Sequence, residues 1–117
     1  MRKRVYIAGP ISKGQVDKNI ARGIRVGVSL LKAGYAPIIP HLSHFATPAN
    51  STIGIKLYEQ WLEADFSFIS TCSAVLRLPG KSVGADREVA FALDCGIPVF
   101  RSMALLKEYL ESPSFPA

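Results

Sequence analysis

The sequence predicts an α/β domain: a Rossmann-like or flavodoxin-like parallel sheet of four to five strands with helices on both faces. Short β-branched and aromatic runs closed by Gly or Pro predict the strands. Apolar residues at helical spacing predict the helices between them. The two kinds of segment alternate as β-α-β-α-β-α-β-α, and right-handed crossovers then cover both faces of the sheet. A chain of 117 residues fits one such domain, residues 1–117, with a single core.

Arg4 to Ala8 (RVYIA) reads as the first strand, ended by Gly9-Pro10. From Gln15 to Lys32, Ile20, Ile24, Val28 and Leu31 recur at spacings of four, four and three, which predicts one buried helix face stopped at Gly34. Tyr35 to Ile39 reads as the second strand, closed by Pro40. His41 to Thr52 (HLSHFATPANST) has turn chemistry without periodicity and predicts a long loop, of the kind that usually carries function in a compact domain. Ile55 to Ser70 reads as one helix and Ala74 to Leu78 as the third strand, followed by the turn Pro79-Gly80. Ser82 to Asp94 is the next helix, Ile97 to Phe100 the fourth strand, and Met103 to Leu110 a final helix. Ligands in such sheets bind beyond the carboxyl ends of the strands. The segments Gly9–Gly14, the loop from Pro40, the turn Pro79–Gly84 and the stretch after Phe100 are therefore expected to meet.

Composition narrows the function. The chain is 49% hydrophobic and 20% charged, an ordinary globular balance. No apolar stretch approaches the ~20 residues of a membrane span. Met1-Arg2-Lys3-Arg4 has the charge of a signal-peptide start, but the apolar run behind it breaks at Gly9-Pro10. A cytoplasmic location is expected. The net charge of +5 favours an anionic ligand or reflects a solvated basic terminus, since Arg2, Lys3 and Arg4 hold part of it. No aromatic platform is interleaved with basic residues, so a nucleic-acid partner is not expected. Cys72 and Cys95 are too far apart for a CxxC motif, and the two histidines complete no zinc spacing. Both cysteines are expected to be reduced, buried structural thiols, with no metal.

Three segments hold residues able to carry chemistry. Tyr6 to Gly14 (YIAGPISKG) is a strand-ending glycine loop, either an anion approach or only a tight turn. It is neither GxGxxG nor a loop ending in GK[ST], so dinucleotide binding and phosphoryl transfer are unsupported. In LPGKSVGADRE, residues 78–88, Ser82 is placed to cap a helix, and Glu88 shares the inward side of that helix with Ala85 and Ala92. An inward carboxylate is costly unless it is used or paired. Glu88 is therefore either functional or the partner of a buried Arg, whereas Asp86 and Arg87 are expected in solvent. In the preceding helix Trp61, Asp65 and Phe68 form an apolar stripe with one carboxylate, and Glu59 and Glu63 lie off it. Two inward carboxylates on adjacent helices suit cleavage of a glycosidic bond, one attacking the anomeric carbon while the other manages the proton.

The combined pattern resembles the nucleoside 2-deoxyribosyltransferase superfamily, which includes deoxynucleoside 5′-monophosphate N-hydrolases. The resemblance lies in YIAGPIS at 6–12, WLEAD at 61–65, AVLRLPG at 74–80 and SVGADREVAFALDCGIPV at 82–99, most specifically in Ser82, Gly84 and Glu88. It implies that Glu88 attacks the sugar C1′ and releases the base, that Asp65 binds the sugar and assists the proton, and that Tyr6 holds the nucleophile. It implies substrate contacts at Gly9, Ile11, Ser12, Ser82 and Gly84, to which the expected site adds Trp61 and His41. No cofactor is implied. The partners it implies are a small-molecule nucleoside or nucleotide and a second copy of the chain in a homodimer or higher oligomer. The chain departs from the pattern at Ser73, where relatives often have Asp, and in the tail Ser112–Ala117, which lacks a polar equivalent and favours hydrolysis over base exchange. The loop with His41 and His44 is individual to this chain; either histidine touches base or phosphate, or is merely exposed. A non-catalytic nucleotide-binding module and a structural protein with paired carboxylates are the competing readings.

Overall fold

The computed structural model describes residues 1–48 and 50–113; the end of the tail lies outside them. Four parallel strands, β1 (Arg4–Ala8), β2 (Ala36–Ile38), β3 (Ala74–Arg77) and β4 (Val99–Phe100), lie in the order β2-β1-β3-β4. This is the flavodoxin-like arrangement, with the reversal of strand order between β1 and β3. The register pairs Tyr6 with Val75 and Ala8 with Arg77, so these four residues share one face of the sheet.

Alternation along the strands divides the core in two. Val5 and Ile7 on β1, with Ala74, Leu76 and Leu78, pack against Leu30 of α1 (Val16–Lys32) and against Leu106 and Leu110 of α5 (Met103–Leu110). Tyr6, Ala8 and Val75 face the other way, onto Ile69 of α3 (Tyr58–Ile69) and onto Ala85 and Ala92 of α4 (Val83–Asp94). Helices cover both faces, as the alternating pattern predicts.

Several local expectations shift. The buried face of α1 is Ile20, Gly23, Gly27 and Leu30, while Val28 and Leu31 are exposed. The glycines explain it. A Cβ on Gly23 would lie 2.5 Å from the His41 ring, and one on Gly27 2.2 Å from Ile39 Cδ1, so the helix approaches its neighbours along its smallest residues. A reading that counts only large apolar residues misses such a face. The stretch after Pro40 is ordered as a 3-10 helix (Pro40–Phe45), and a short helix α2 (Thr52–Lys56) follows, capped by Ser51 Oγ accepting from Gly54 N at 3.1 Å. The helix expected from Ile55 to Ser70 is thus two, broken at Leu57. Phe68 is 47% exposed; the aromatic of α3 that packs inward is Phe66, stacked on Phe91 of α4 at 4.4 Å between ring centroids. Cys72 is buried as expected, but Cys95 is exposed. No helix among the described residues is long and apolar enough to cross a membrane.

Candidate active site

The strand ends that border the switch point are fixed by backbone geometry and by side chains reaching back to carbonyls. A Cβ on Gly9 would lie 2.9 Å from Leu78 Cβ, so only glycine lets the ends of β1 and β3 approach this closely. Asn19 of α1 donates to Ile11 O (3.1 Å) and Lys13 O (2.7 Å), which shapes the loop after β1. Arg22 donates to Pro79 O at 2.8 Å, tying the turn after β3 to the same helix. Gly80 takes φ +115° in that turn, a conformation that side chains disfavour. Ser82 then caps α4, its Oγ accepting from Ala85 N at 3.1 Å, as the sequence predicts.

Between these loops, α3 and the N-terminal part of α4 lies a cavity of about 770 Å³. Gly9, Ile11, Ser12, Trp61, Asp65, Ser82, Gly84 and Glu88 all line it. Tyr6 is buried and does not line the cavity; its hydroxyl donates to Glu88 Oε2 at 2.5 Å. His41 lies elsewhere. It is fully buried on the 3-10 helix, in the space Gly23 leaves on α1, and is absent from the cavity wall. Burial first, and the nearby Arg22 charge second, push its imidazole down to about 4, with the Pro10 backbone offsetting part of this. The stretch after Phe100 also lies outside the lining, its place taken by α2 and the start of α3.

The wall includes residues that sequence reasoning passed over: Lys13, Ser43, Thr47, Tyr58 and Lys81 among them. Tyr58, Trp61 and Asp65 follow one another at spacings of three and four on one face of α3, a signal that could have found Tyr58. Its hydroxyl would stand 3.1 Å from a Cβ at Gly84, so glycine there keeps the two helices in close register. Thr47 gives no sequence signal. It accepts from Trp61 Nε1 at 2.6 Å and so joins the segment before α2 to the floor of α3.

The electrostatics centre on Glu88, which is 6% exposed. Burial chiefly holds its carboxyl far above the usual range; Asp65 adds to the rise, while the Tyr6 hydrogen bond and the Arg77 charge pull it down. Asp65 is raised too, again by burial first, with hydrogen bonding to Glu88 and Tyr6 working against it. Glu88 is buried and Asp65 half-buried beside it, so joint ionisation of the two carboxyls is disfavoured. Burial and both acidic neighbours hold the Tyr6 phenol protonated, hence a donor. The buried arginine that could have neutralised Glu88 is present as Arg77, but its ion pair is with Asp86. Asp86 and Arg87 are exposed, as expected, and both form ion pairs there, Arg87 with Glu59 at 3.0 Å.

The family model described as Domain of unknown function (DUF4406) matches residues 3–101. The chain belongs to that family. No curated protein matches this DUF4406 chain in sequence. Among solved structures it is similar to a 2-deoxyribosyltransferase from the psychrotolerant bacterium Bacillus psychrosaccharolyticus. The TM-score is 0.63 at 15% identity, covering 82% of this chain and 69% of that one. At that identity the likeness shows a shared fold, and that protein is described as a biocatalyst for nucleoside synthesis.

Proposed function

We propose that this DUF4406 domain is an N-glycosidase that cleaves, or exchanges, the base–sugar bond of a nucleoside or nucleotide. The observation that carries the reading is the Tyr6–Glu88–Asp65 cluster at the wall of a cavity of about 770 Å³, a volume suited to a small-molecule substrate. Burial raises both carboxyls, which favours keeping a proton on one of the two acids, the state that two-carboxylate glycosidic chemistry requires. With Asp65 as the acid, a Glu88 carboxylate oxygen bonds to C1′ as the C1′–N bond breaks. The bonding pair leaves with the base, and the Asp65 proton neutralises it. Asp65, now ionised, takes a proton from water as the water oxygen bonds to C1′, and the Glu88–C1′ bond breaks to free the sugar. A second base in place of water gives exchange. Tyr6 keeps donating to Glu88 throughout, fixing the carboxylate and easing its ionisation.

Gly9, Ile11, Ser12, Trp61, Ser82 and Gly84 line the cavity and are proposed substrate contacts; His41 is not among them, because it is buried away from the wall. A second copy of the chain is a proposed partner. The reading is tested by incubating the protein with a panel of nucleosides and monophosphates and reading free base by chromatography. Glu88→Ala should abolish release with the fold intact, and unchanged turnover would refute the nucleophile. One observation favours a second reading, a binding module without turnover: burial favours Glu88 in its neutral form. That reading expects saturable ligand binding and no free base after long incubation.

A further inference from the structure

Arg77 is a buried cation that the proposed reaction does not use. It ends β3 on the face that carries Tyr6 and Val75, toward α4, and its side chain is 4% exposed. Its guanidinium donates to Leu78 O, to Gly80 O at 2.9 Å and to Asp86 Oδ1 at 3.0 Å, and its buried Nε has no partner among the described residues. The two carbonyls belong to the turn leading into α4, and Asp86 sits in the first turn of α4, two residues before Glu88. One side chain thus joins the end of β3, the turn and the base of the helix that presents Glu88.

The charge is as informative as the bonds. A buried guanidinium is costly unless compensated. Its ion-pair partner Asp86 is 68% exposed, so solvent screens that side of the pair, whereas the guanidinium itself is buried at the base of the helix that carries Glu88. The groups that bear on Glu88 are Tyr6 from β1, Asp65 from α3 and Arg77 from β3. On α4 itself Asp86 is bound to Arg77, and Arg87 is turned to Glu59. Asp65 opposes ionisation of Glu88, the Tyr6 hydrogen bond favours it, and Arg77 supplies the buried positive charge.

We propose that Arg77 is a positioning residue for Glu88, clamping the entry of α4 and holding a fixed positive charge at the base of the helix that presents it. The proposal rests on the reading of Glu88 as a nucleophile, but its physical content is measurable without a substrate. The side-chain carboxyl of Glu88 is followed by NMR titration in protein labelled with carbon-13 glutamate, the signal assigned by its loss in Glu88→Gln. Arg77→Lys keeps a charge, Arg77→Gln keeps hydrogen bonding without charge, and Arg77→Met keeps neither. The Glu88 midpoint should rise by about one pH unit in the Gln and Met variants and stay near wild type in the Lys variant. If the Met variant does not fold, the Gln and Lys variants decide. Equal midpoints in Gln, Lys and wild type overturn the proposal, as does an equal shift in Gln and Lys, which would make Arg77 a structural brace alone. If base is released, the acid limb of kcat/KM should follow the same order. A midpoint that responds as expected with no base released from the panel refutes the glycosidase reading and leaves the charge effect standing. Release without any response of the midpoint refutes the role of Arg77 and leaves the glycosidase reading intact.

Discussion

Replacing Glu88 by Gln should make the protein more stable in mild alkali while removing the proposed nucleophile. Glu88 is buried, and the side chain of Gln has nearly the same shape, so its carbonyl can still accept from Tyr6. The carboxyl is raised in the folded state, chiefly by burial and further by Asp65. A raised folded-state value means that the folded protein holds a proton the unfolded chain gives up. This contribution to stability is therefore complete below the ordinary carboxylate range and is lost as pH rises through the raised range. Each unit by which the group is raised corresponds to about 1.4 kcal/mol. With the carboxyl pushed up to about 8, the wild type should lose on the order of 4 kcal/mol between about pH 5 and about pH 9. The Gln variant has no such proton to lose. At about 4 °C per kcal/mol for a domain of this size, its melting temperature should exceed that of the wild type by on the order of 15 °C at the alkaline end. The two should nearly coincide at the acid end. Thermal melts of both proteins across this range, at matched ionic strength, measure the difference directly. Parallel curves would show that burial of Glu88 is not the dominant electrostatic cost in this site.

Two further outcomes follow from packing and burial. Gly23→Ala gains about 1 kcal/mol of helix propensity but drives a Cβ to within 2.5 Å of the buried His41 ring, so a net loss of about 1–2 kcal/mol is expected. A urea midpoint at or above that of the wild type would show that the 3-10 helix gives way freely. Burial pushes the Cys72 thiol up to about 11, while Cys95 is exposed. Brief alkylation of the native protein near neutral pH should therefore put a single adduct on Cys95, read by mass spectrometry after digestion. Adducts forming on both at similar rates would contradict the burial of Cys72.

The sequence determined the α/β class, the parallel sheet with helices on both faces, the cap at Ser82 and the inward position of Glu88. Each of these rests on local physics: strand period, helix period, or the need of an N–H group at a helix start for an acceptor. The face of α1 and the region from Pro40 to Leu57 were not legible in this way. Gly23 and Gly27 are buried because His41 and Ile39 fill the space they leave, and no periodicity of large residues records a contact made by an absent side chain. His41, read as a loop residue able to reach a ligand, is buried by that same contact. Tertiary structure alone decided that Tyr6, Asp65, Arg77 and Glu88, drawn from β1, α3, β3 and α4, bear on one another. Residues so distant in the chain meet only where the reversal of strand order brings two strand ends together, and both carboxyls are raised only because folding takes Glu88, and in part Asp65, out of water.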